Sequence, residues 1–479
     1  MAATGNRRPF LTGMMSVCCL VFLLSSMQAA ESTPNKVLKA GAATSNITPP
    51  LGEAIVGGFA PFPAENVHDE LHARCLVLDN GETKIAFVIC DNLGITEDVY
   101  QAARDFIKAE TDLPPENILM AATHTHSATR ASSPKYRDFL SRRIADCVRR
   151  ALEKTEPAQI GWGGVDEPSE VFNRRWFTTN PDFCKNPFGG VDQVRMNPPR
   201  GNAALVKPAG PIDPEISFIS VQSLEGRPLA LLANYSLHYV GGVKKGEISS
   251  DYFGIFSEKI GSLIGASPED GSFVGMLSNG TSGDINNINF SQPGKRMQAY
   301  EKMAQVADLV AKRVADAYKG VKYQTWVPLG SASADLTLKV RKPDAAMQAY
   351  FKKLLAQPED APQHHRYERN YAGRVQRLLE GPDEVTVKLQ TLRIGDLTVA
   401  AIPFETFCEI GLEIKDKAPF KDAFTIELAN GYYGYLPTPA QHKLGGYETW
   451  MGTNRVQLDA SDQILTVLFE LMEDLNSGK

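Results

Sequence analysis

The chain has 479 residues, of which 43% are hydrophobic and 22% are charged, and its formal net charge is −6. These values are ordinary for a globular protein, and the length allows either two or three domains or one elaborated α/β domain. The chain has no stripe of lysine and arginine with interleaved aromatic residues, which argues against nucleic acid as a partner.

The N-terminal segment differs in kind from the rest of the chain. Two arginines in "NRRPFL" precede an apolar run from Phe10 to Leu24, and small residues follow up to Ala30. The run is short for a membrane span, so we predict a signal peptide over residues 1–30 and export to the periplasm or the medium. The arginine pair resembles a twin-arginine export signal. An uncleaved anchor is the alternative, and residues 31–40 are interpreted as a leader.

Alternating strand and helix patterns follow, without an internal repeat or a clean linker. The turn "DNG" between two apolar runs in "ARCLVLDNGETKIAFVICDN" predicts a β-hairpin. Thr96 is a candidate N-cap for a helix in "TEDVYQAARDFIKAE", and a second hairpin is predicted to turn at Glu225–Gly226. Further helices are predicted around Tyr136–Lys154, Tyr252–Ile264 and Arg296–Tyr318.

Two segments interrupt this alternation. Residues 165–212 are rich in proline, glycine, asparagine and aromatic residues, which predicts a long irregular loop over a site. Residues 342–384 are polar with a helical period and predict a helical insertion. Strands resume in "EVTVKLQTLRIGDLTVAAIPFE", and "QILTVLFELMEDL" predicts a closing helix. The predicted fold class is therefore α/β, with mixed β-sheets sandwiched by helices in one large domain.

Several apolar runs stop at a residue that could bind a metal ion. In "ILMAATHTHSATR", His124 and His126 would share one face if the strand continued through them, because side chains alternate along a strand. Another run stops at His238, and a third at Glu405. Catalytic zinc takes about three protein ligands from histidine and carboxylate, with an open position for water. Spacing alone leaves structural roles open, either a hydrogen-bonded histidine or a helix-start acid.

Taken in order, these segments resemble the neutral (non-lysosomal) ceramidase family, and the resemblance covers roughly residues 40–472. It rests on segments distributed along the whole chain: "AGAATSNITPPLG", "ENILMAATHTHSA", "NYSLH", "ISSDYFG", "NGTSGDINN", "PFETF", "NGYYGYLPT" and "GGYETW". The resemblance implies a neutral-ceramidase-like catalytic domain over residues 41–476. It also implies zinc-dependent hydrolysis of an N-acyl bond in a ceramide-like lipid by metal-activated water.

The resemblance further implies a set of zinc ligands. Family members hold the metal with the first histidine of THTH, a histidine after a strand, a glutamate after proline, and a tyrosine. The corresponding residues here are His124, His238, Glu405 and Tyr435. The tyrosine is assigned through the frame N-x-Y-x-x-Y-x-x-T.

Other active-site roles are carried over in the same way. His126 is expected beside the metal as a proton carrier, with a hydrogen bond that merely orients a ligand as the alternative. Tyr447, in a "YE" pair, is the second active-site tyrosine and a candidate proton donor. Arg174 in "FNRRW" is expected to orient the substrate, and Arg175 is the less favoured choice.

One motif departs from the family pattern. The family reads G-D-x-S-P-N with a catalytic serine, whereas this chain reads "GDINN", with Asn286 at the serine position. Asparagine has no hydroxyl to attack a carbonyl, so a covalent acyl-enzyme at Asn286 is excluded. Asparagine can still donate a hydrogen bond to an oxyanion. Ser282, four residues earlier, is a candidate replacement.

Three functions therefore stay open. An exported zinc-dependent amidohydrolase acting on a ceramide-like lipid leads. A hydrolase of another N-acylated amine or amino sugar and a non-catalytic homologue that binds lipid or glycan are the alternatives. The expected partner is a small-molecule or lipid N-acyl substrate, with at most peripheral membrane contact because no basic amphipathic helix follows the leader. The sequence does not determine the oligomeric state.

Overall fold

The larger of two central sheets has eight strands. The computed structural model describes residues 36–58, 60–131, 133–267 and 273–478. The predicted signal peptide and residues 31–35 of the predicted leader lie outside them.

The strands of the larger sheet are β1 (Lys39–Asn46), β2 (His72–Asp79), β3 (Lys84–Cys90), β4 (Ile118–Ala122), β5 (Glu156–Asp166), β6 (Glu215–Ser223), β7 (Pro228–Tyr235) and β8 (Val274–Asn279). Their order is β8-β7-β6-β5-β1-β2-β3-β4. The edge strands β8 and β4 pair in parallel with their neighbours, and the inner pairs are antiparallel.

The smaller sheet has four strands and comes from the C-terminal part of the chain. Its strands, in spatial order, are β9 (Leu329–Lys339), β10 (Glu384–Ile394), β11 (Leu397–Ile402) and β12 (Asp422–Glu427). The last pair is parallel, and the others are antiparallel. Because β11 and β12 are parallel, they end at the same edge of the sheet, where the chain enters the loops described below.

Nine helices in the described chain surround these sheets. They are α1 (Glu97–Glu110), α2 (Pro134–Glu153), α3 (Asp251–Leu263), α4 (Glu301–Tyr318), α5 (Ala345–Leu355), α6 (Glu368–Glu380), α7 (Cys408–Lys417), α8 (Pro439–Leu444) and α9 (Ala460–Ser477).

The core is arranged in four layers. Apolar side chains of the two sheets meet face to face, for example Phe87 and Ile219 with Val399 and Phe424. Helices α1 to α4 cover the outer face of the larger sheet, while α7 and α9 cover the smaller one. Each sheet thus buries both faces, which explains the nearly continuous apolar runs in its strands. The predicted class, mixed sheets sandwiched by helices, is confirmed.

Most predicted elements are present, with shifted ends. Both hairpins form, and the helix predicted after Thr96 begins at Glu97, although the Thr96 side chain makes no capping hydrogen bond. The helix predicted from Arg296 begins only at Glu301, because Tyr300 has a left-handed backbone that a helix cannot include.

The two interrupting segments have different structures. The predicted loop over residues 165–212 contains a small three-stranded sheet of Arg175–Thr178, Val194–Met196 and Leu205–Pro208, so it is less irregular than expected. The predicted insertion over residues 342–384 is helical, as expected, and consists of α5 and α6. Both segments border the cavity described next.

Candidate metal centre and its cavity

The candidate metal ligands lie just beyond the ends of three strands. His124 follows β4 by two residues, His238 follows β7 by three, and Glu405 follows β11 by three. All three line a cavity of about 590 Å³, which is within the range of small-molecule sites. The expectation that distant strand ends meet at one site is therefore correct for these residues.

The local backbone at the THTH segment differs from the prediction. Strand β4 ends at Ala122, and His124 has a φ of 73°, in the left-handed region that a strand does not adopt. The prediction that both histidines share a strand face is therefore wrong. Their rings nevertheless meet, because the turn brings Nε2 of His126 to 3.1 Å from Nε2 of His124.

Each of the three imidazoles is anchored through Nδ1 to a backbone carbonyl. Nδ1 of His124 donates to Leu93 O at 2.5 Å. Nδ1 of His126 donates to Gly57 O at 2.8 Å, and Nδ1 of His238 donates to Ser282 O at 3.1 Å. A carbonyl only accepts, so each Nδ1 carries a proton, and the Nε2 of each imidazole in its neutral form presents a lone pair. The three histidines form a cluster compatible with a metal site.

Glu405 completes this cluster on one side. Its Oε2 atom lies 3.4 Å from Nε2 of His124 and 3.8 Å from Nε2 of His238. Oε2 of Glu405 and Nε2 of His238 are both buried and have no hydrogen-bond partner among the described residues. Buried polar atoms are rarely left without a partner, since that costs free energy. A cation held between these atoms would satisfy both, so the donor set fits a metal ion.

The protonation states suit metal binding. Burial alone would raise the pKa of Glu405, but the neighbouring imidazoles of His124 and His238 hold it well below its usual range. Burial lowers the pKa of both His126 and His238 well below the usual histidine value. At neutral pH the carboxylate is charged and these two imidazoles are neutral, which are the forms that ligate metals.

Tyr435 is held beside Glu405 by a short parallel pairing of Glu405–Thr406 with Tyr435–Leu436. Its hydroxyl accepts a hydrogen bond from Nη2 of Arg174 at 3.0 Å. Arg174 also donates from Nη2 to Gly283 O at 2.7 Å and from Nε to Oε1 of Glu448 at 2.9 Å. Arg174 is thus a fixed, buried cation that orients the tyrosine hydroxyl.

The two arginines of "FNRRW" have different positions. Arg174 lines the cavity. Arg175 is fully buried, where its Nη1 donates to Oε2 of Glu448 at 2.8 Å and its Nη2 to Gly445 O at 2.7 Å. Arg175 is not among the cavity-lining residues of the described chain. Tyr447 also lines the cavity, with its ring centroid 5.8 Å from that of Tyr435.

Asn286 and Ser282 lie outside the cavity lining of the described chain. The Asn286 side chain donates to Oδ1 of Asn197 and accepts from the backbone of Ile288. Ser282 lies behind His238, with its Oγ 3.1 Å from Nδ1 of His238 and donating to Oε1 of Glu427 at 2.7 Å. Of the predicted site residues, the cavity brings together His124, His126, His238, Glu405, Tyr435, Tyr447 and Arg174.

Sequence reasoning missed two aromatic residues of the site. The Tyr432 hydroxyl donates to Oε1 of Glu405 at 2.8 Å. The Tyr239 ring stacks on His126, with centroids 3.5 Å apart and planes 13° from parallel. Tyr239 directly follows His238 in the chain, and Tyr432 stands within the tyrosine-rich frame, so adjacency to a candidate ligand was the available signal.

Comparison with known proteins gives a structural likeness. No protein-family model and no curated protein matches the chain. The structure is similar to neutral ceramidase from Pseudomonas aeruginosa, with a TM-score of 0.68 and 16% identity over 92% of this chain and 75% of that chain. The chain has a neutral ceramidase-like fold. A structure of a ceramidase complexed with C2 gives a TM-score of 0.69 and 15% identity, over 92% of this chain and 76% of that chain.

This ceramidase-like fold confirms the fold that the sequence segments predicted. Identity of 15–16% establishes the fold and leaves the reaction to be argued from the site. No described helix is both long enough and apolar enough to cross a lipid bilayer.

Proposed function

We propose that this protein is an exported, zinc-dependent hydrolase that cleaves an N-acyl (amide) bond by metal-activated water. The proposal rests on two potential metal ligand atoms, Nε2 of His238 and Oε2 of Glu405. Both lie at the histidine cluster in the cavity, and neither has a hydrogen-bond partner among the described residues. The similarity to structures of ceramidases supports an amide as the bond that is cleaved. A ceramide-like lipid is the first substrate to test, and another N-acylated amine or amino sugar is the alternative.

His124, His238 and Glu405 would hold the zinc ion, with Tyr435 as the fourth ligand. Two nitrogens and a carboxylate oxygen are a usual ligand set for catalytic zinc, and with Tyr435 as a fourth ligand the water would take a fifth position, since catalytic zinc can expand to five ligands. Zinc held there would lower the pKa of a water molecule to about 7 and would stabilise negative charge on a carbonyl oxygen. Arg174 keeps the Tyr435 hydroxyl in place through its hydrogen bond at 3.0 Å.

The remaining site residues handle protons. Nε2 of His126 has a free lone pair, since Nδ1 donates to Gly57, and it accepts the proton of the attacking water. The stacked ring of Tyr239 and the Gly57 carbonyl fix the orientation of His126. Burial raises the pKa of Tyr447, so its hydroxyl stays protonated and donates to the leaving nitrogen. The cleaved C–N bond thus yields a carboxylic acid and an amine.

A direct test combines metal analysis with turnover. The purified chain should contain one zinc ion and release free amine from a fluorescent ceramide or from other N-acyl amines. His124→Ala should lose both the zinc and the turnover, because it removes a ligand from the cluster. His442→Ala is the matched control, since His442 is not among the cavity-lining residues of the described chain.

The possible results separate the proposals. Zinc without ceramide turnover would keep the hydrolase and move the search to other N-acyl substrates. Zinc with ligand binding but no turnover of any amide would favour the non-catalytic homologue. An absence of bound metal in the wild-type protein would refute the proposed mechanism.

A further inference from the structure

The cavity has a strong excess of positive charge. Seven arginines and one lysine line it, against the two carboxylates of Asp192 and Glu405. The chain as a whole carries a net charge of −6, so this concentration of basic residues is not a consequence of composition. A cleft lined by one sign of charge attracts ligands of the opposite sign.

Most of these cations lack a carboxylate partner. Arg174 pairs with Glu448 and Lys185 with Asp182. No ion pair is found within the described residues for five other lining arginines: Arg130, Arg195, Arg366, Arg377 and Arg455. Their charges are therefore available to a ligand in the cavity.

Three of the lining arginines form an inner group: Arg130, Arg374 and Arg455. All three line the same cavity, and the Arg130 guanidinium lies 4.9 Å from the centroid of the Tyr432 ring. Burial lowers the pKa of Arg455, and the charges of Arg130 and Arg374 lower it further. Nε of Arg130 is buried and has no hydrogen-bond partner among the described residues. Guanidiniums that line one partly buried cavity are stabilised by an oxyanion that accepts hydrogen bonds from them.

Arg130 of the inner group lies one side chain away from the candidate metal centre. Nη2 of Arg130 donates to the Tyr432 hydroxyl at 3.2 Å, and that hydroxyl donates to Oε1 of Glu405 at 2.8 Å. An anion bound by the inner group would therefore lie close to the bond being cleaved.

A second pair, Arg195 and Arg366, lies where the 165–212 segment meets the helical insertion.

We propose, building on the amide hydrolysis proposed above, that the substrate is an N-acylated amine bearing an oxyanion near the amide. The oxyanion is a carboxylate, phosphate or sulfate bound by the inner arginine group. A neutral lipid amide would occupy the same space without a counter-charge for Arg130 and Arg455, leaving their repulsion uncompensated. The arginines thus select for charge, while the metal centre performs the cleavage.

The test uses the zinc-loaded full chain and four matched compounds. N-hexanoylethanolamine is the neutral compound, and its phosphate ester, its sulfate ester and N-hexanoylglycine are the anionic ones. Binding is measured by calorimetry and hydrolysis by amine release. At least one anionic compound should bind about tenfold more tightly than the neutral one, and the tightest identifies the oxyanion.

Charge-removing variants show whether the arginines cause this preference. The double variant Arg130→Gln/Arg455→Gln should bind the neutral and anionic compounds about equally while retaining its zinc. Arg296→Gln, which removes an exposed arginine outside the cavity lining, should keep the full preference. Arg195→Gln, at a half-buried position, should lose part of the preference and serves if the double variant does not fold.

Equal binding of all four compounds by the wild-type protein would overturn this inference. An anion preference that persists in the double variant would also overturn it, because the metal alone would then account for the preference. Amine release without an anion preference would overturn it while leaving the proposed hydrolase intact. Arginine-dependent anion binding without amine release from any compound would refute the hydrolase and keep the anion site.

Discussion

Ser282 supports the candidate metal centre from behind. Its Oγ lies between Nδ1 of His238, at 3.1 Å, and Oε1 of Glu427, at 2.7 Å. Partners of this kind fix the ring orientation of a ligating histidine and tune its basicity. The serine is therefore expected to act on metal affinity rather than on substrate directly.

Replacing this hydroxyl tests the idea. Ser282→Ala should weaken zinc binding about 10- to 100-fold, because His238 loses one of its two Nδ1 contacts. The measurement is zinc affinity by competition with a chromophoric chelator. Ser257→Ala, which removes a buried helix hydroxyl bonded to Phe253, is the control and should bind zinc normally. Unchanged affinity in Ser282→Ala would mean that the serine plays no part in holding His238.

Gly283 lies where two segments of the site touch. A Cβ at Gly283 would come within 2.6 Å of the carbonyl oxygen of Glu405 and 2.9 Å of its carbonyl carbon. Backbone atoms cannot move aside as a flexible side chain can, so any larger residue must displace the Glu405 strand. The close approach also allows Gly283 N–H to donate to Thr406 O at 2.8 Å.

Gly283→Ala should therefore move Glu405 and weaken zinc binding by about tenfold or more, in line with the effect of misplaced ligands. Gly320→Ala is the matched control, because the nearest atom to its new Cβ would be 3.6 Å away. Both are measured by zinc competition and thermal unfolding. Wild-type zinc affinity in Gly283→Ala would argue against Glu405 as a ligand.

The helical insertion is attached to the cavity through Trp450. This residue is only 7% exposed, its ring centroid lies 5.3 Å from that of Tyr371 in α6, and its Nε1 donates to Oδ2 of Asp192 at 2.7 Å. Its ring also lies 5.8 Å from Tyr447. One aromatic side chain thus connects the insertion, the 165–212 segment and the cavity-lining Tyr447.

Trp450→Ala should lower the free energy of unfolding by about 3–5 kcal/mol, as truncations of large buried aromatic residues do. It should also reduce turnover, because Tyr447 loses a packing partner. Trp450→Phe keeps the ring contacts and should recover most of the stability. Urea unfolding and amine release measure the two effects. A fully stable Trp450→Ala protein would show that the insertion is held by other contacts.

The sequence predicted the helices and strands better than it predicted which side chains the fold brings together. Apolar runs that stop at His238 and Glu405 indicated strand ends, and each strand does end three residues before its candidate ligand. The alternation in THTH was misleading, since His124 has a left-handed backbone conformation and lies beyond the strand. No single-residue preference would have allowed this conformation to be predicted. The arginine excess was also not predictable, because Arg130, Arg195, Arg374 and Arg455 are far apart in sequence and only the fold assembles them.

The candidate ligands come from widely separated parts of the domain. His124 follows the larger sheet near the N-terminal end, His238 follows the same sheet in the middle of the chain, and Glu405 follows the smaller sheet. A metal ion bound by all three would link the two sheets. Because it binds only the folded arrangement, it should stabilise the whole domain by mass action.

Removing the metal should therefore lower the thermal midpoint of the wild-type protein. At a free zinc concentration 100 times the dissociation constant, the stabilisation lost on chelation is about 2.7 kcal/mol. Differential scanning calorimetry with and without a chelator measures the shift. His238→Ala should unfold at the same temperature in both conditions. An equal midpoint for wild type with and without chelator would contradict a shared metal ligand set.

Each of the three histidines is anchored through Nδ1 to a backbone carbonyl, that of Leu93, Gly57 or Ser282. A carbonyl oxygen is present whatever side chain its residue carries. Mutations at Leu93 that preserve the backbone path would therefore leave the His124 imidazole oriented as before, whereas His238 also depends on the Ser282 hydroxyl. The geometry of such a centre can therefore persist while most of the sequence changes. The residues that line the cavity can then differ between related chains and suit different substrates.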